Sequence, residues 1–219
     1  LEREPDRVRD PVGRAEPDRR APEPVGEGVG ELLPGHAAAV ADVEGLARGA
    51  LVAQGQQVFR FDTFGDETQW TDALRMHEVI RTAVDPTTAL SVGLKVDAQA
   101  LPAAVVAGIQ SGSVDLKSPA TTVALLKLDA VVGLKGTVET VNGVDVLTRV
   151  GVTCALCHST VDNSFAPGIG KRLDGWPNRD LNPGAIIALS PALGAAAKAV
   201  YNSWGPGKYD PRFNLDGKN

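Results

Sequence analysis

Cys154-Ala155-Leu156-Cys157-His158 gathers the only two cysteines of a 219-residue chain three positions apart, with a histidine directly after the second. Residues three apart on a helical turn project from one face. Two thiols so placed reach the two vinyl groups on one edge of a haem, and the imidazole at the next position meets the iron. The spacing is the C-x-x-C-H pattern of c-type haem attachment, which predicts one covalent haem c held by Cys154 and Cys157, with His158 as the proximal ligand. Two other chemistries use the same residues. A dithiol oxidoreductase also sets C-x-x-C at the start of a helix. A structural zinc centre needs four ligands, and the chain has no second cysteine pair to supply them.

The other axial position separates an electron carrier from a site that binds and activates dioxygen or peroxide. Nothing after His158 is methionine or histidine, so the donors on offer are His77, Met76 and His36. On a helical wheel of about 100° per residue for positions 66–84, Trp70, Ala73, Leu74, His77, Ile80 and Val84 fall in one apolar arc, and Met76 lies at its flank. His77 is therefore the expected distal metal ligand and Met76 the alternative; His36, after Pro34-Gly35, reads as solvated.

The elements that must position these residues read as mostly helical. Alanine-rich residues 37–59 predict one or two helices interrupted near Gly49 or Gly55. Residues 66–84 predict an amphipathic helix stopped at Asp85-Pro86. Asp97 is a cap for a helix continuing over 102–108, and Ser118-Pro119 opens one to about residue 132. Residues 134–150 change to a two-residue period around Asn142-Gly143, a strong hairpin signal. The cysteines follow at the start of a helix over 154–160. Asn182-Pro183 reads as a helix start and 191–203 as a packing helix. The fold class predicted is mainly α, a helical domain around one haem with a small β-hairpin.

Composition sets outer bounds. Net charge is −5, with 22 lysines and arginines against 27 acids, which excludes a nucleic-acid binder relying on a broadly basic surface. No run of about 18 apolar residues appears, so no membrane span is expected. Residues 1–35 hold fifteen charged residues and six prolines and read as a disordered tail; residues 36–219 form the expected domain. The polar, turn-rich end from Tyr209 to Asn219 reads as a chain cut short. All ten aromatic residues lie within 59–70 or 165–213, leaving the middle to aliphatic packing or to an added apolar body.

Three stretches carry a resemblance: Phe59-Arg60-Phe61-Asp62-Thr63-Phe64-Gly65-Asp66-Glu67, Val150 to Ser159 around the haem motif, and Arg172 to Asn182. Together they resemble a group of large bacterial exported c-type cytochromes, more distantly related to cytochrome c peroxidases and rubber-oxygenase-like multi-haem proteins. The resemblance covers roughly residues 50–219 and is specific at the motif. It implies a cytochrome c-like helical fold and one-electron transfer, with a peroxidase- or oxygenase-type module as the alternative. It also implies export, to the bacterial periplasm, where haem is attached covalently; no signal peptide is visible in residues 1–35. The loop Ala166-Pro167-Gly168 resembles class I cytochromes c, where a proline carbonyl accepts the proximal histidine's other ring N–H, and this gives Pro167 that role. Arg172, Trp176 and Arg179 are candidate donors to the haem propionates, the arginines through their planar fork. The chain departs from the family in two places: it lacks a methionine downstream of the motif and a second C-x-x-C-H. The expected partner is a redox protein, with a basic docking patch favoured by the acidic net charge.

Overall fold

The computed structural model describes residues 34–210 and residue 212, with side chains continuous from residue 48 onward. The chain divides into two units, residues 1–45 and 46–219. Residues 1–33 of the expected tail, the His36 side chain and residues 213–219 lie outside what is described.

Helix α1, Pro34–Phe61, runs unbroken for 28 residues. The expected interruption at Gly49 or Gly55 is absent, because a helical glycine costs only about 1 kcal/mol against alanine and the alanines around it favour the helix. Its residues 48–58 are exposed, and its last turn, Phe59 to Phe61, is half-buried. A π-helical segment, Thr68–Ala73, comes next, then α2, Met76–Ala83. Arg75 between them is left-handed, with φ 54°. The single helix expected over 66–84 is thus two segments out of phase. Trp70, Leu74, Met76, Ile80 and Val84 are buried, Ala73 is exposed and His77 is half-buried.

Helix α3, Pro86–Ser91, begins where Asp85 accepts a hydrogen bond from the Thr88 amide at 2.8 Å. Strand β1, Val96–Asp97, follows, and Asp97 caps a 3-10 turn over Ala98–Ala100 rather than a helix. Helix α4, Ala103–Ser111, and α5, Pro119–Lys127, come next, the second with proline at its first position as expected. Strands β2, Leu134–Val141, and β3, Val144–Val152, form the hairpin, with Val141 opposite Val144. Asn142 and Gly143 turn it with φ of 51° and 79°, both positive as a type I′ turn requires. The motif occupies a one-turn helix, α6, Ala155–His158, shorter than the 154–160 expected. Strands β4, Ser159–Val161, β5, Ile169–Gly170, and β6, Arg172–Asp174, follow, then α7, Pro183–Ala188, and α8, Ala195–Asn202.

The fold class is mixed, which corrects the expectation of a mainly helical domain: the described structure is 45% helical and 19% strand, in several small sheets. Beside the hairpin, β1 pairs in parallel with β5 and β4 antiparallel with β6. Strands of two or three residues are too short to show a period in sequence, and their pairing is set by the loops around the motif. The core of the unit over 46–219 joins α2, α5, the hairpin and α7 through Ile80, Leu126, Leu147 and Ile187. No helix among the described residues is long and apolar enough to cross a membrane.

Candidate functional site

The end of β3 sets the entry to the motif. The Val152 amide donates to Asp66 Oδ1 at 3.0 Å, and its carbonyl accepts from the Phe64 amide at 3.1 Å. The segment before the π-helical turn is thereby stitched along β3. Thr153 pairs with Thr63, and its hydroxyl donates to the Arg60 carbonyl at 3.2 Å. Within α6, the His158 amide donates to the Cys154 carbonyl at 3.2 Å, closing one helical turn that carries both thiols and the imidazole.

A one-turn helix leaves its carbonyls without partners along its own backbone. Here the loop after β6 supplies them. The Gly175 amide donates to the His158 carbonyl at 2.8 Å and the Asn178 amide to the Cys157 carbonyl at 2.9 Å. Asn178 is anchored in turn through its side-chain amide on the Gly93 carbonyl at 2.9 Å.

Asp174 ties this region to α1. It accepts from Ser159 Oγ at 2.8 Å, from Arg172 Nε at 2.9 Å, from Arg60 Nε at 2.6 Å and from Gln56 Nε2 at 3.2 Å. Burial alone would raise its carboxyl. The hydrogen bonds from Ser159 and Arg60 and the Arg172 charge outweigh that and hold it below the ordinary aspartate value.

A cleft of about 420 Å3 opens over the motif. Cys154, Cys157 and His158 form one side of it, and Phe64, Trp70, Val152 and Leu156 form its apolar walls, with Asp66, Thr153 and Tyr209 completing the lining. Both cysteines are free thiols. Cys157 is exposed as a residue, but the cleft walls partly desolvate its thiol and push it up, and neighbouring Cys154 adds to the shift. Asp66 is buried, with Oδ2 accepting from Trp70 Nε1 at 2.8 Å. Desolvation raises its carboxyl against the opposing pull of the Val152 amide and the Trp70 indole.

A haem fits this donor set. Two unpaired thiols and an imidazole border one cleft whose other walls are mostly aromatic and aliphatic, with Asp66 and Thr153 as polar members, and its volume is that of an ordinary small-molecule site. Among the described residues no three His, Cys, Asp or Glu side chains gather as a metal cluster, and the four ligands of a structural zinc centre are not assembled.

The remaining predicted residues lie elsewhere. His77 does not line the cleft; its Nε2 is 4.0 Å from Glu78 Oε1, and its Nδ1 is buried without a partner. Met76 is in the core, and the His36 side chain is outside the described residues. Pro167 borders a different, polar depression shared with Lys95 and Asp180. Arg172 is buried, its guanidinium paired with Asp174 and set 5.9 Å from the Phe61 ring centre. Trp176, between the two residues that clasp α6, is exposed, as is Arg179, and neither lines the cleft. Sequence reasoning missed Asp66, Asp174 and Tyr209. The first had a signal, since Asp66 and Trp70 are four apart at the head of a predicted helix; the other two had none. Against known proteins, no family model matches the chain, and neither does any curated protein or solved structure.

Proposed function

We propose that the chain carries one covalent haem c and serves one-electron transfer, as an exported protein of c-type cytochrome kind. The observation that supports this is the single cleft in which Cys154, Cys157 and His158 face apolar walls. Cys154 and Cys157 would hold the group through thioethers, each thiol S–H adding across a vinyl double bond with no leaving group, and His158 would hold the iron. Bound there, haem supplies a ferric/ferrous couple whose potential is set by axial ligands, burial and hydrogen bonds. The chain's own residues hold the ligands in place: Gly175 and Asn178 fix the α6 carbonyls, Asp174 fixes the strand that follows His158, and Trp70, Val152 and Leu156 exclude water.

One observation favours a second reading, a haem-dependent peroxidase- or oxygenase-type module with an open distal position. Among the described residues, His158 is the only histidine lining the cleft, and no methionine lines it. The absorption spectrum, oxidised, reduced and with carbon monoxide, tests both in protein exported from a host with haem-attachment machinery. A low-spin spectrum insensitive to carbon monoxide is expected for the carrier, and prompt carbon monoxide binding moves the second reading forward. Folded, exported protein without a haem band overturns both.

A further inference from the structure

The core behind the cleft is not filled. A cavity of about 50 Å3 lies among Met76, Ile80, Ala89, Leu126 and Val131, well below the roughly 150 Å3 that admits a benzene ring. Among the side chains around it only Thr122 is polar. Thr122 is buried, and its Oγ1 has no hydrogen-bond partner. A buried water needs two to four polar partners. One hydroxyl does not hold it, so the space is dry.

Trp70, Val152 and Leu156 border both this cavity and the cleft that carries Cys154, Cys157 and His158. The two spaces are therefore separated by one layer of side chains. We propose that the cavity is a docking site for dioxygen or another apolar diatomic gas, held one side-chain layer from the haem cleft. Size admits such a molecule and excludes a ring. Apolar walls favour it over water, and the Thr122 hydroxyl offers one weak donor to an acceptor end. The use of the gas at the cleft rests on the haem reading above; its uptake by the cavity does not.

Xenon, an apolar atom of similar size, is the first probe. Crystals of the full haem-loaded chain under xenon pressure are expected to show one xenon against Met76, Ala89 and Leu126. An ordered water at Thr122, or no xenon there, overturns the proposal. Ala89→Ile, which fills the space, is expected to abolish the xenon peak. Thr122→Val keeps the shape and removes the hydroxyl, and it is expected to retain full occupancy; loss of xenon in that variant points to polar binding and overturns the proposal as well. In ferrous protein that binds carbon monoxide, filling the cavity by Ala89→Ile is expected to change the fast rebinding fraction after photolysis at least twofold; an unchanged fraction overturns the coupling of cavity to cleft. Protein without a haem band that still takes up xenon upholds the cavity while the functional reading falls.

Discussion

Among the described residues lining the cleft, His158 is the only nitrogen donor suited to haem iron. His158→Ala is expected to remove the imidazole–iron bond and shift the absorption spectrum, while the thioethers would keep haem attached; an unchanged spectrum removes His158 from the iron. His77 stands apart on α2, so His77→Ala is expected to leave the spectrum as it is, and a shift toward five-coordinate haem would restore it as a ligand. Its buried, unpartnered Nδ1 makes the site one where His77→Leu is expected to gain about 1 kcal/mol in urea unfolding. Asp174 is the residue whose charge matters most to the frame. Its folded pKa is depressed, so its stabilisation is present above the unfolded value near about pH 4 and is lost as pH falls through the folded value. Asp174→Asn is expected to cost about 2 kcal/mol at neutral pH, between an exposed and a fully buried pair, with the gap to wild type closing on acidification. Urea midpoints at neutral and acid pH check this, and a gap independent of pH would mean that charge is not the cause. Asp66 has the opposite sign: its raised value gives a contribution present below the unfolded pKa and lost as pH rises through the folded one.

At the scale of elements, α6 is a single turn that keeps its place because its neighbours approach its backbone. Gly133, in the link between α5 and β2, has φ +83°, and a Cβ there would lie 2.1 Å from Leu156 Cα and 2.3 Å from its nitrogen. Its carbonyl also accepts the Thr153 amide at 3.0 Å, one residue before the first cysteine. Gly133→Ala is therefore expected to displace the turn between the two thiols and to lower the yield of covalently attached haem several-fold, read as haem stain per folded protein after export. Gly143→Ala, in the hairpin turn where nothing lies within 4 Å of a Cβ, strains only φ and is expected to lower stability without lowering that yield. The contrast explains what was legible in advance. The Asn142-Gly143 hairpin and the proline starts of α5 and α7 are local signals with local causes, and each appears where the residues place it, whereas the helix expected over 154–160 is cut to one turn by strand β4. The break at Arg75 was not legible, because a π-helical segment and one left-handed residue reset the phase of an otherwise regular apolar pattern. That single reset moves Met76 into the core and turns His77 away from the arc that held it on the wheel. The small sheets were equally hidden: β1 with β5 and β4 with β6 are pairings between short segments, decided by tertiary contacts that no window of sequence contains.

On the scale of the whole molecule, the chain's electrostatics and the way into its cleft point to how electrons would enter. The cleft is bordered by exposed Phe64 and by Tyr209, with no lysine or arginine among the described residues that line it, so an incoming reagent meets a largely apolar rim on a chain of net charge −5. Haem propionates would add negative charge to the same region. A field of this sign raises the local concentration of cations and depletes anions, and salt screens it over a Debye length of about 10 Å at 0.1 M. Reduced protein is therefore expected to give its electron faster to a cationic small-molecule acceptor than to an anionic one of matched potential at low ionic strength. The ratio is expected to fall toward one at about 1 M salt, where the Debye length is about 3 Å. Stopped-flow oxidation rates across a salt series measure it directly. A ratio independent of salt would mean that access through the apolar rim, not charge, governs the encounter, and the partner's docking face would then have to be complementary in shape and apolarity rather than basic.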